Sequence, residues 1–116
     1  MILGKNNEGK TSSLIKIANE KRRKYNVFFI NNEEVENLYL IGLDKNVCVT
    51  SVKFKDIKEL YQFIEIVNRN NKTDKPYYFI FDNLGLVVNG FRNDKEYIIS
   101  SLLQFDNISF SINKGE

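Results

Sequence analysis

Two kinds of apolar spacing alternate along the chain. Short, compact runs of β-forming residues predict four strands, near residues 26–31, 47–53, 77–82 and 107–113. Between these runs, apolar residues recur every three or four positions, which predicts helices over 11–24, from 56 to about 68, and over 93–105. Alternating strands and helices are typical of an α/β protein. We therefore predict a three-layer α/β sandwich with a mainly parallel sheet, in which only the 47–53 strand is not parallel.

The predicted helices carry signals for their ends. Asp56 and Glu59 have the spacing of a capping box, and Asp94 is the predicted N-cap of the last helix. The basic run 21–24 closes the first helix, where cations suit the helix dipole. The alternative for this run is a patch that contacts phosphates.

Composition limits the function classes. At 116 residues, of which 42% are hydrophobic, residues 1–116 form one predicted domain with an ample core. The net charge of +2 does not argue for a nucleic-acid partner. Cys48 is the only cysteine and histidine is absent, which excludes a disulfide framework and any site that depends on imidazole.

The apolar runs are too short for a membrane span. None approaches the roughly 18 residues that a span needs, and the N-terminus lacks the apolar core of a signal peptide. We expect a cytoplasmic, reducing compartment and no membrane partner.

The stretch "GKNNEGKT", residues 4–11, matches the phosphate-binding P-loop pattern. Gly4 and Gly9 let the backbone take positive φ and approach an anion closely. Lys10 would contact the β- and γ-phosphates, and the Thr11 hydroxyl would bind Mg²⁺. The predicted nucleotide-binding residues are Gly4, Lys5, Asn6, Asn7, Glu8, Gly9, Lys10, Thr11 and Ser12.

A second acidic residue must complete a metal site beside a P-loop. The apolar strand 77–82 ends in Asp82, which is the Walker B pattern. Asp82 is therefore predicted, with Thr11, as a Mg²⁺ residue. The alternative is an ordinary strand whose last aspartate caps a helix.

In this order of motifs the chain resembles the P-loop ATPases of the RecA-like, additional-strand class. The resemblance covers nearly the whole chain and rests on "GKNNEGKT", "VFFINNEE", "YYFIFDNLG" and "ISFSIN". It implies ATP and Mg²⁺ as ligands. It also implies that the 107–113 strand lies between the P-loop strand and the Walker B strand, whereas a GTPase would pair those two strands directly.

The resemblance also implies residue roles. Asp82 would hold the metal through water, and Asn113 would sense the γ-phosphate. Glu33 would polarise the attacking water, with Glu34 as the neighbouring candidate. Many ATPases place this glutamate directly after the Walker B aspartate, but that position here is Asn83, which cannot act as a base. The alternative for the two glutamates is a solvated loop.

Some features depart from this class. The first strand is cut to about three residues, and no arginine finger, DNA-binding loop or oligomer-forming extension is evident. Arg92 is either a residue that projects toward a neighbour or an ordinary surface side chain. The layout is also similar to poxvirus-type packaging ATPases, related to the FtsK/HerA motors, although Asn83 counts against that branch. We expect a reduced copy or a core fragment.

These features predict an ATP–Mg²⁺-binding core with slow or partner-dependent hydrolysis. It would come from a DNA-handling recombinase, helicase or packaging ATPase, with DNA and a homo-oligomeric or larger assembly as partners. One alternative is a non-catalytic nucleotide-binding or interaction module. Another is a GTP-binding protein, since "DNLG" (82–85) and "NKTD" (71–74) match GTPase motifs, although in reversed order. A nucleotide kinase is weaker, because no lid with clustered arginines is apparent.

Overall fold

A computed structural model of the chain describes residues 1–4, 9–32 and 42–113. The strands are β1 (Ile2–Gly4), β2 (Asn26–Asn31), β3 (Cys48–Ser51), β4 (Tyr77–Asp82) and β5 (Ile108–Asn113). The helices are α1 (Lys10–Lys21), α2 (Ile57–Arg69), α3 (Leu84–Val87) and α4 (Lys95–Leu102), with a 3₁₀ turn at Phe91–Asn93. The strands predicted at 26–31 and 77–82 are confirmed at both ends.

The five strands form one sheet in the order β1-β5-β4-β2-β3, and every described pair is parallel. The predicted position of the 107–113 strand, between the first strand and the 77–82 strand, is confirmed. The prediction that the second strand would not be parallel is wrong, because β3 runs parallel to β2 with Phe28 opposite Cys48. The segment 32–47 exceeds the dozen or so residues that a parallel crossover needs, which permits this direction.

The chain leaves the sheet soon after β3. Val52 donates its N–H to the Asn31 carbonyl at 2.8 Å, and the next pairing is an isolated parallel bridge between Phe54 and Val88. Phe54 donates its N–H to Val87 at 2.6 Å, and its carbonyl accepts the Asn89 N–H at 2.8 Å. The predicted strand 47–53 is therefore shorter, and its end turns toward α3.

Helices cover both faces of the sheet. Alternate residues of β2 and β4 point to opposite faces, as strand geometry requires. On one face, Phe29 and Ile80 pack against Leu14 and Ala18 of α1. The other face carries a larger core formed with α2, α3 and α4, whose buried side chains include Leu60, Ile64, Phe79, Phe81, Leu84, Ile98, Leu102 and Phe110. The protein is thus an α/β sandwich, as predicted.

The helix starts agree with the predicted caps only in part. The Asp56 side chain accepts the Glu59 N–H at 3.0 Å and caps α2. Asp94 precedes α4 but makes no capping hydrogen bond with its side chain. The first helix ends at Lys21, three residues before the predicted end. None of the helices in the described ranges is both long and apolar enough to cross a membrane.

Candidate functional site

The parallel sheet brings four predicted segments to one edge. Strands that run the same way present their carboxyl ends together. Gly4 at the end of β1 lies opposite Asn113 at the end of β5, and Asp82 at the end of β4 lies opposite Asn31 at the end of β2. In open α/β sheets this edge is where ligands bind.

Helix α1 begins at the same edge. Its N-cap, Gly9, has a φ of 77°, a left-handed conformation that L side chains rarely adopt. A Cβ at this position would meet nothing within 4 Å, so the backbone conformation rather than lack of space requires glycine. The N–H groups of the first turn and the helix dipole make this end attractive to anions.

Lys10, the first residue of α1, is buried, with 9% of its surface exposed. Its Nζ donates a hydrogen bond to Oδ1 of Asn113, which is also buried. The amide oxygen is neutral, so it satisfies a donor without cancelling the ammonium charge. The buried ammonium and the helix N-terminus thus both contribute positive potential at this edge, where the Asp82 carboxylate also lies.

The Thr11 hydroxyl reaches the predicted Walker B aspartate. Thr11 Oγ1 donates to Oδ2 of Asp82 at 2.9 Å, although the two residues are 71 positions apart in sequence. Ser111 Oγ donates to the other carboxylate oxygen, Oδ1, at 3.2 Å. Asp82 is only 8% exposed and Ser111 is fully buried. Two strands and a helix thus fix the orientation of this carboxylate.

The electrostatic environment of Asp82 is mixed. Burial raises the pKa of the Asp82 carboxyl above its ordinary value of 3.8. The hydrogen bonds from Thr11 and Ser111 and the charge of Lys10 lower the pKa, but they do not outweigh burial. A group with this balance is typical of functional sites.

The residues present fit a magnesium ion that is shared with a phosphate ligand. Mg²⁺ takes oxygen ligands, keeps several waters and uses one or two carboxylates together with substrate phosphates. Thr11 and Asp82 supply adjacent oxygen atoms at the start of α1. Over residues 1–4, 9–32 and 42–113, no group of three or more His, Cys, Asp or Glu forms a dedicated metal cage.

The asparagines beside Asp82 have structural roles. Asn83 Oδ1 accepts the Gly85 N–H at 3.0 Å, so Asn83 is the N-cap of α3. Asn32 Nδ2 donates to the Leu86 carbonyl at 3.0 Å and ties the end of β2 to α3. The position where many ATPases hold a catalytic glutamate is therefore used here to start a helix.

The predicted site residues fall into two groups. The structure brings together Gly4, Gly9, Lys10, Thr11, Asp82 and Asn113, while Ser12 is exposed on α1. Lys5, Asn6, Asn7, Glu8, Glu33 and Glu34 lie outside the described residues. Sequence reasoning missed Ser111. Its signal was the polar alternation of Ser109, Ser111 and Asn113 within an otherwise apolar strand.

Comparison with known proteins identifies no family for this chain. The chain matches none of the protein-family models against which it was scanned, and a search of curated proteins finds no similar sequence.

Proposed function

We propose that the chain is a P-loop NTPase core that binds ATP with Mg²⁺ at the carboxyl edge of its sheet. The hydrogen bond between Thr11 and Asp82 carries this proposal. It joins the last residue of the P-loop pattern to the end of the Walker B strand. In P-loop NTPases these two side chains hold the metal.

The described side chains have distinct tasks in this proposal. Lys10 and the N–H groups of the first turn of α1 bind the β- and γ-phosphates. Thr11 and Asp82 hold Mg²⁺, which neutralises phosphate charge when it is bound. Asn113 positions the Lys10 ammonium through their hydrogen bond, and this contact supports its proposed role as the γ-phosphate sensor.

The strand order favours the additional-strand ATPases over GTPases. β5 separates β1 from β4, whereas a GTPase would pair the P-loop strand with the Walker B strand directly. This order supports ATP as the nucleotide.

The "NKTD" segment gives a second argument against a GTPase. The side chain of Asn71 is used within its own turn, where Oδ1 accepts the Thr73 N–H at 2.9 Å and Nδ2 donates to the Lys75 carbonyl at 2.8 Å. Thr73 also accepts a hydrogen bond from Asn26, the first residue of β2. This turn precedes β4 and lies at the amino edge of the sheet, opposite the phosphate-binding residues. It is therefore badly placed to recognise a base.

The test is ATP–Mg²⁺ binding by calorimetry to the wild-type chain, to Lys10→Ala and to Lys16→Ala. Lys16 lies on the same helix and is exposed, so it is a matched control for charge and helix propensity. The loss of a charged hydrogen bond costs about 1.5–3 kcal/mol, so Lys10→Ala should bind at least about tenfold more weakly. Lys16→Ala should bind as the wild type does. Equal affinities for Lys10→Ala and Lys16→Ala, or a preference for GTP, would contradict the proposal.

A further inference from the structure

A cavity of about 460 Å³ opens beside α3, and none of the nucleotide-site residues described above lines it. Its walls are Lys53, which follows β3, and residues of the segment 85–93, which follows β4. Both segments leave the carboxyl ends of their strands. The cavity therefore belongs to the same edge of the sheet as Asp82 but is built from different side chains.

The cavity has a cationic wall. Lys53 and Arg92 both line it, and no acidic residue of the described chain does. Within the described ranges, neither side chain forms an ion pair. Arg92 also lines an adjacent cavity that contains Asp94 and Glu96, but these two carboxylates do not line the cavity shared with Lys53.

Backbone hydrogen bonds connect the two segments that carry these cations. The two hydrogen bonds of Phe54 with Val87 and Asn89 fix the segment that carries Lys53 against the segment that carries Arg92. Gly90 turns the chain with a φ of 75°, and the next residue, Phe91, is 2% exposed in the core. The turn that carries Arg92 is therefore anchored at its base, which reduces the ordering cost of binding.

We propose that this cavity binds the phosphomonoester group of a small molecule. A phosphomonoester carries a charge of about −1.5 to −2 at neutral pH, which two cations match. The Arg92 guanidinium offers a planar fork for phosphate oxygens, and Asn89 and Asn93, which also line the cavity, add neutral donors. Its volume falls in the usual range for small-ligand pockets, and Leu86 in the wall offers apolar contact to the rest of the molecule.

The first test is a titration of the ¹⁵N-labelled wild-type chain with inorganic phosphate at constant ionic strength, without nucleotide or Mg²⁺. Amide resonances of residues 88–93 should shift saturably. These amides are far in sequence from residues 9–12, so binding at the P-loop is observed separately. The nucleotide proposal can fail while this one stands, and the reverse also holds. The absence of saturable shifts at residues 88–93 would overturn the proposal.

The second test compares two double variants with the same change in net charge. Lys53→Ala/Arg92→Ala removes the cationic wall, whereas Lys55→Ala/Lys45→Ala removes two exposed cations that do not line the cavity. The first should bind phosphate at least about tenfold more weakly, and the second should stay within about twofold of the wild type. Equal weakening in both variants would mean nonspecific charge attraction and would overturn the proposal.

The third test separates the possible sources of the phosphate. Dimethyl phosphate is a monoanionic diester, so it should bind more weakly than inorganic phosphate. A short oligothymidylate should not compete at residues 88–93. Tight competition by the oligothymidylate would assign the cavity to a nucleic-acid backbone and overturn the phosphomonoester proposal.

Discussion

At the scale of single residues, the Asp82 carboxylate is a source of instability in the fold. Burial raises its pKa above 3.8, so the folded chain holds this proton more tightly than the unfolded chain does. The resulting stabilisation is fully present below pH 3.8 and is lost as the pH rises through the folded-state pKa. Above the folded-state pKa, the ionised Asp82 therefore lowers the free energy of unfolding. The binding of a cation would offset this effect.

The substitution Asp82→Asn should stabilise the chain while it weakens Mg²⁺ binding. The amide removes the desolvated charge and retains polar contact with Thr11 and Ser111. In urea unfolding without metal, we expect Asp82→Asn to be more stable than the wild type near pH 7, with the difference shrinking as the pH falls toward 3.8. The exposed Asp106→Asn is the control, and its stability should follow the wild type. A constant difference across this pH range would contradict the role of the Asp82 charge.

The sequence predicted some side chains of the site better than others. Two local motifs of known chemistry contain Lys10, Thr11 and Asp82. The sequence could therefore predict that these side chains lie close together. Ser111 lies in no such pattern. Its contact with Asp82 depends on the register between β4 and β5, in which Phe81 lies opposite Phe110. A register of this kind is decided by two distant segments together.

At the scale of elements, Asp56 and Asp94 occupy the same position before a helix but differ in what they bind. Both precede a periodic apolar run, and the sequence predicts an N-cap for each. Only Asp56 reaches a backbone N–H with its side chain. Asp94 follows directly on the 3₁₀ turn Phe91–Asn93, and its φ of −125° and ψ of 25° lie outside the extended conformation usual for a cap.

This difference predicts unequal effects of the two alanine substitutions. Asp56→Ala should lower the free energy of unfolding by about 0.5–2 kcal/mol, the usual loss for a capping side chain. Asp94→Ala should lower it by much less, because no side-chain capping hydrogen bond is lost. Urea denaturation of both variants under one condition measures the difference, and equal losses would show that the capping contact of Asp56 contributes little.

The direction of β3 shows what an apolar pattern leaves open. Alternation along residues 47–53 indicates which side chains are buried, but it is the same for either strand direction. The direction depends on the connection from β2, and the length of segment 32–47 was the available signal. The sequence carried no local signal for the early end of β3. After β3 the chain turns so that Phe54 pairs with Val88, and this is a tertiary contact.

At the scale of the whole molecule, the binding residues of the proposed site lie together, whereas its proposed catalytic glutamates lie outside the described residues. Lys10, Thr11 and Asp82 are in place, while Asn83 caps α3 and so supplies no base. Glu33 lies outside the described residues. An arginine finger supplied by a neighbour can change a rate by about 10³–10⁵. Turnover is therefore a property that we expect of an assembly rather than of one chain.

We predict that the isolated chain binds ATP and hydrolyses it slowly, and that DNA or a partner subunit accelerates hydrolysis. Phosphate release should be measured for the chain alone, at increasing chain concentration, and with DNA added. Any accelerated rate should be lost in Glu33→Gln or Glu34→Gln, with Glu20→Gln on the exposed side of α1 as the control. Rapid hydrolysis by the dilute chain would disprove the prediction of slow turnover. No hydrolysis under any condition would favour the non-catalytic nucleotide-binding module.

The pairing of β1 with β5 also determines when the site can exist during synthesis on the ribosome. Ile2 is made well before Ser111, its partner in the sheet. Among the strands in the described ranges, β5 alone joins β1 to the sheet, so β1 lacks this neighbour until β5 has emerged. Contacts between such distant segments also form slowly, because a long loop must close first. A nascent chain would thus carry the P-loop motif long before β5 is made, and the proposed nucleotide site could form only after β5 has docked beside β1.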